Sequence, residues 1–124
     1  MARPSSRQRG RHWETEAADY LRRHGLQILE QGYQCRLGEL DLIASADGAL
    51  IVVEVRARKR TTKGGAAETI DLRKQRKIVL ATRHYLMTHP HWSSKPIRFD
   101  VVAIDDIDRS EPRIHWIRNA FAAH

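Results

Sequence analysis

Asp41 and Glu54 stand in the middle of two apolar runs, ELDLIA and IVVEVR, with Asp47-Gly48 between them. An Asp-Gly pair between such runs is a strong signal for a tight hairpin. With Asp47 and Gly48 as the two turn residues, 46 faces 49 and Asp41 faces Glu54, with Cβ atoms about 4.5–5.5 Å apart. Like charges opposed in this way repel, and partial burial drives one of them to take up a proton. A divalent cation reverses the sign. Mg²⁺ and Mn²⁺ are hard ions that take carboxylate oxygens, with water and substrate phosphate completing the shell. The competing arrangement is a salt-bridge network in which Arg36, Arg56 or Arg58 neutralises the pair. A three- or five-residue loop would place the acids on opposite faces and remove the site altogether.

Three further side chains are candidates by position. Arg56 shares the face of Glu54, where it could hold a phosphate or orient water, or simply pair with Glu39. Gln75 falls inside the apolar stripe Leu72, Ile78, Val79, Thr82, Tyr85 and Leu86 of a helix expected over residues 71–87. A buried glutamine must find hydrogen-bond partners, in a site or in the core. Glu16 sits at the edge of the stripe Trp13, Ala17, Tyr20 and Leu21 of a first helix. His89 and His91 flank Pro90 without metal-ligand spacing and read as solvated loop residues. Trp92 and Trp116 fit the core better than an interface.

The chain carries a formal charge of +7, and its cations are clustered. Arg3, Arg7, Arg9 and Arg11 form one group, the stretch Arg56 to Lys63 another, and Arg73, Lys74, Arg76 and Lys77 a third. Such patches suit a polyanion, nucleic acid first among them, although a solubilising surface would look similar. The glycines at 64 and 65 lack phosphate-loop spacing and read as a connector.

These residues need elements to place them. Residues 1–11 read as a flexible basic tail, followed by a single domain over 12–124. The pattern predicts a helix from near His12 to before Gly25 and strands over 26–36, 39–45 and 49–57. It continues with a basic loop over 58–68, the helix over 71–87, a loop over 90–96, strands over 97–104 and 113–117, and a short closing helix over 118–123. That order defines an α/β protein with helices packed on a mixed sheet. A chain of 124 residues supports one packed core. The single cysteine, Cys35, excludes an internal disulfide and a cysteine zinc site, which points to a reducing cytoplasm. No apolar run approaches the roughly 20 residues of a membrane helix, and the basic N-terminus lacks the apolar core of a secretory signal.

Six segments together carry a resemblance: WETEAADYL at 13–21, GELDLIA at 38–44, VVEVRARKR at 52–60, GGAAETIDLRKQRKI at 64–78, RFDVVAI at 98–104 and IHWIRNAF at 114–121. The chain resembles the YraN-type bacterial family, whose sequences look like small PD-(D/E)xK nucleases and are most similar to archaeal-type Holliday-junction resolvases. The resemblance implies a restriction-endonuclease-like three-layer core, with a mixed five-stranded sheet flanked by helices. It further implies that Glu16 is the helix acid, Asp41 and Glu54 the strand acids, and Gln75 the helix glutamine. These acids would hold Mg²⁺ or Mn²⁺. Arg56 stands where such nucleases carry lysine. An arginine stays protonated, so it can clamp an oxyanion but serves poorly as a base. Arg58, Lys59, Arg60, Lys63 and Lys74 would hold the flanking nucleic-acid backbone. The expected function is metal-dependent cleavage of DNA, branched or otherwise structured. The alternatives are a nucleic-acid-binding protein of DNA maintenance with a degenerate nuclease site, and a protein-interaction module. The resolvase likeness is compatible with a homodimer.

Overall fold

The computed structural model describes residues 6–59 and 70–123. Its elements are helix α1 (Ser6–Arg23), strands β1 (Gln27–Cys35), β2 (Gly38–Ala46) and β3 (Ala49–Arg58), helix α2 (Leu72–Thr88), a 3-10 turn (Pro90–Trp92), and strands β4 (Ile97–Asp105) and β5 (Arg113–Phe121). The five strands form one sheet in chain order. Only β3 and β4 run parallel; the other neighbours are antiparallel. The parallel pair requires a crossover, and α2 lies on it.

Alternation along the strands sends apolar side chains to both faces of the sheet, and each face is covered by one helix. Leu50, Val52, Ile43 and Val101 pack with Ile78, Val79, Ala81 and Tyr85 of α2. Leu42, Ile51, Val53 and Val102 pack with Ala17, Ala18 and Leu21 of α1. This is an α/β architecture with a mixed five-stranded sheet, as expected.

The hairpin register follows the predicted two-residue turn. Asp47 and Gly48 have φ of 52° and 77°, the left-handed values that a type I′ turn demands at both centres. Ala46 faces Ala49, and the ladder runs on to Leu42 opposite Val53. At the other end of β2, Gly38 starts the strand with φ 151°, a backbone conformation that residues with a side chain rarely adopt.

Two boundaries differ from expectation. Helix α1 begins at Ser6, so half of the supposed tail is helical. Its Arg and Gln residues are good helix formers, and after Pro4 only Gly10 opposes the helix, at about 1 kcal/mol. Met1 to Ser5 lie outside the described residues. The closing helix over 118–123 is instead the end of β5. Asn119 adopts φ 52° at a register shift, its N–H donates to Asp100 Oδ1 at 2.9 Å, and Phe121 stacks on Phe99 at 5.0 Å. Tertiary pairing overrides local helix preference here. Leu72 also departs from its expected place in the core stripe and is 56% exposed; periodicity sets a residue's side of a helix, not its depth.

Asp100 ties β4 to β5. It is fully buried. It accepts two bonds from Arg98, from Nε at 2.8 Å and Nη2 at 2.9 Å, and one from Trp116 Nε1 at 2.9 Å, besides that of Asn119.

Candidate functional site

The β2–β3 ladder stops after Leu42 and Val53. The next pair outward is Asp41 and Glu54, and the strands part there. Val55 N–H, a ladder donor in a longer hairpin, donates instead to Asp41 Oδ2 at 2.8 Å. The Asp41 and Glu54 side chains hydrogen-bond to each other. The register thus brings the two acids together.

Both helices reach this gap. Glu14 of α1 lines, together with Asp41, two adjoining clefts. The first, of about 530 Å³, also takes in Trp13, Arg56 and Arg58. The second, of about 670 Å³, includes Arg11, Gln34 and Glu39. From α2, Lys74 Nζ approaches Glu54 Oε1 to 3.6 Å.

The acid that α1 brings to this gap is Glu14, whereas the sequence pointed to Glu16. Glu16 lines neither cleft. The buried stripe of α1 is Ala17, Ala18 and Leu21. Glu14 precedes the first two by three and four residues, on the same side, whereas Glu16 is rotated from Glu14 by about 200°. Recognising Ala18 as core would have identified it.

Lys74, expected with the other cations of α2, turns its ammonium to the acid pair. Gln75 donates from Nε2 to the Ile70 carbonyl at 2.8 Å, and its Oε1 is buried without a partner. Arg56 and Arg58 line the cleft as expected; Lys59 is exposed. Arg60 and Lys63 lie outside the described residues, as do Gly64 and Gly65. Among the described residues no three His, Cys, Asp or Glu side chains converge as a ready-made metal cluster.

Burial is the first cause of the unusual acidities. It pushes Glu54 from 4.5 to about 8, helped by the Asp41 charge and opposed by Lys74 and Arg56. It also raises Asp41, against the stabilising bond from Val55 N–H, and brings Glu14 to about 7 with help from Asp41 and Glu39. Both carboxyls of the pair are thus raised by burial, and the Lys74 ammonium opposes the rise in each.

A pH dependence follows. Glu54 is 6% exposed, and its folded pKa lies above the unfolded value. Between about pH 4.5 and 8 the folded chain thus holds a proton that the unfolded chain has released. Without metal, stability falls as pH rises through that window, by on the order of a few kcal/mol. Glu54→Gln should flatten this slope and unfold later than wild type at pH 8.5. Urea midpoints measured from pH 5 to 8.5 check it; a wild-type midpoint that climbs across the window contradicts it.

An α/β chain with a buried acid pair at a split between strands, backed by cations from both sides, defines the class. The chain belongs to the UPF0102 family, described as an uncharacterised protein family, whose model matches residues 13–104; this is the YraN-type family that the motifs resemble. It is 46% identical over 121 residues to a UPF0102 protein of Pseudomonas fluorescens, and 44% identical over 122 residues to one of Pseudomonas aeruginosa strain LESB58, with 98% of each chain covered. A UPF0102 protein of Ectopseudomonas mendocina is 43% identical over 114 residues, or 92% of this chain and 94% of its own. No helix among the described residues is long and apolar enough to cross a membrane.

Proposed function

We propose that the protein is a metal-dependent nuclease-like protein that acts on DNA, branched or otherwise structured, on a restriction-endonuclease-like core. One observation carries this reading: Asp41 and Glu54 pair where β2 and β3 part, and Asp41 opens onto a cleft that Glu14, Arg56 and Arg58 also line.

The donor set fits Mg²⁺ or Mn²⁺. Two carboxylates with water and phosphate oxygens are an ordinary shell for these ions, and a buried pair that must otherwise retain a proton gains from a divalent counterion. Asp41 and Glu54 would hold the metal, with Glu14 reaching it directly or through water. The ion would lower the pKa of a bound water and neutralise charge on the scissile phosphate. The chain supplies the rest. Val55 N–H fixes the Asp41 carboxylate. Arg56 clamps a non-bridging phosphate oxygen as charge develops. Arg58 and Lys59 hold the flanking backbone. Two copies would present two sites to a two-fold symmetric junction.

A second reading has its own support. Lys74 on Glu54, and an arginine at position 56, suit a nucleic-acid-binding protein whose acids are held by cations. Binding would then be independent of metal and weaken steeply with salt.

The test uses purified protein with linear, single-stranded and four-way DNA, with and without Mn²⁺. The nuclease reading expects cutting of at least one substrate only with Mn²⁺. Binding without cutting, unchanged by Mn²⁺, supports the second reading.

A further inference from the structure

Helix α2 opens on LRKQRK with no acid in its first turn. Cations there oppose the helix dipole, which favours negative charge at this end. Lys74 has an anion nonetheless. Asp71 caps the helix by accepting from Lys74 N–H at 2.8 Å, and the Lys74 side chain turns inward to Glu54 Oε1 at 3.6 Å. It is 32% exposed, whereas Arg73, Arg76 and Lys77 on the same two turns are exposed. Glu54 itself is nearly inaccessible. A lysine in a first helical turn is thus drawn inward onto a buried carboxylate oxygen that a metal would also need.

We propose that Lys74 is the resident counter-cation of the acid pair, displaced from Glu54 when a divalent ion binds and freed to meet the phosphate. This rests on the metal-site reading above. An ammonium and a divalent ion compete for the same carboxylate oxygen. At 3.6 Å the ammonium is loosely held, and its four-carbon arm can swing away without moving α2. A point charge on a flexible arm suits phosphate. Lys74 thus supplies, from a helix, the mobile cation that Arg56, a rigid fork on β3, does not.

Amine-reactive labelling of the full chain, read by peptide mass spectrometry, tests the displacement. Lys77 and Lys95, both exposed, are internal references. Saturating Mg²⁺ should raise the relative labelling of Lys74 by about threefold or more, the scale of losing one partly exposed ion pair. Glu54→Gln should raise it without Mg²⁺ and abolish the Mg²⁺ effect. If calorimetry on the same sample shows Mg²⁺ binding while Lys74 labelling stays unchanged, the inference fails and the metal site stands. If calorimetry shows no Mg²⁺ binding, both fail. Cleavage gives a second readout. Lys74→Gln should slow Mn²⁺-dependent cutting at least about tenfold, with partial rescue by Lys74→Arg. Wild-type cutting by Lys74→Gln would overturn the phosphate role.

Discussion

Asp41→Asn and Glu54→Gln should each lower Mn²⁺-dependent DNA cleavage by roughly 10²–10³-fold, while DNA binding without metal changes by no more than about threefold. Each substitution keeps the shape of the side chain and removes an oxygen that carries charge. An asparagine at position 41 could still accept from Val55 N–H through its amide oxygen, so the local fold persists. A glutamine at position 54 relieves the burial of an ionisable group, so this variant should be at least as stable as wild type above pH 8. That pairing separates loss of chemistry from loss of fold: an inactive, unfolded variant has no such signature. Glu14→Gln should reduce cleavage less, and Glu16→Gln should leave it unchanged. Single-turnover rates on the best DNA substrate, with urea midpoints for each variant, decide the matter. Cleavage that survives both changes would place the chemistry elsewhere.

The second large effect concerns stability. Asp100→Ala should cost about 3–5 kcal/mol and lower the melting temperature by roughly 10–20 °C. The carboxylate is fully buried and accepts four bonds, from Arg98 twice, from Trp116 and from the Asn119 backbone. Its removal takes from the Arg98 guanidinium its hydrogen-bonded partner and leaves the indole N–H unpaired and the left-handed turn at Asn119 without its anchor. Breaking one partner of a buried charged network is far costlier than replacing the whole network. Arg98→Met with Asp100→Leu should therefore recover part of the loss, which thermal denaturation of the single and double variants would show. A cost below about 1 kcal/mol would mean that water replaces these bonds.

The parts of this molecule that were legible in the sequence are those written in local chemistry. Asp-Gly specifies a turn with positive φ at both centres, and that turn sets the hairpin register through Leu42 and Val53. The meeting of Asp41 and Glu54 follows from counting. What escaped depends on contacts between distant segments. The extension of β5 through Phe121 needs Asp100 and Phe99 of β4, and a window on 118–123 sees three alanines and an arginine that favour helix. Glu16 was preferred to Glu14 because it falls between Trp13 and Tyr20, which pack at the margin of the α1 core stripe and not at its centre. Ala17 and Ala18 define that centre, but small side chains are weak signals of burial. Lys74 looked like one cation among four. Its inward turn is visible only once β3 brings Glu54 beneath the start of α2.

The proposed chemistry requires that the parted strands hold two carboxylates so close that they accept a divalent ion in place of a shared proton. Calorimetric titration of Mn²⁺ into wild type and Asp41→Asn at pH 8 tests it without any knowledge of substrate. Wild type should show one saturable site, with proton release on binding, and Asp41→Asn no measurable binding. Equal heats from the two proteins, or none from either, would contradict it.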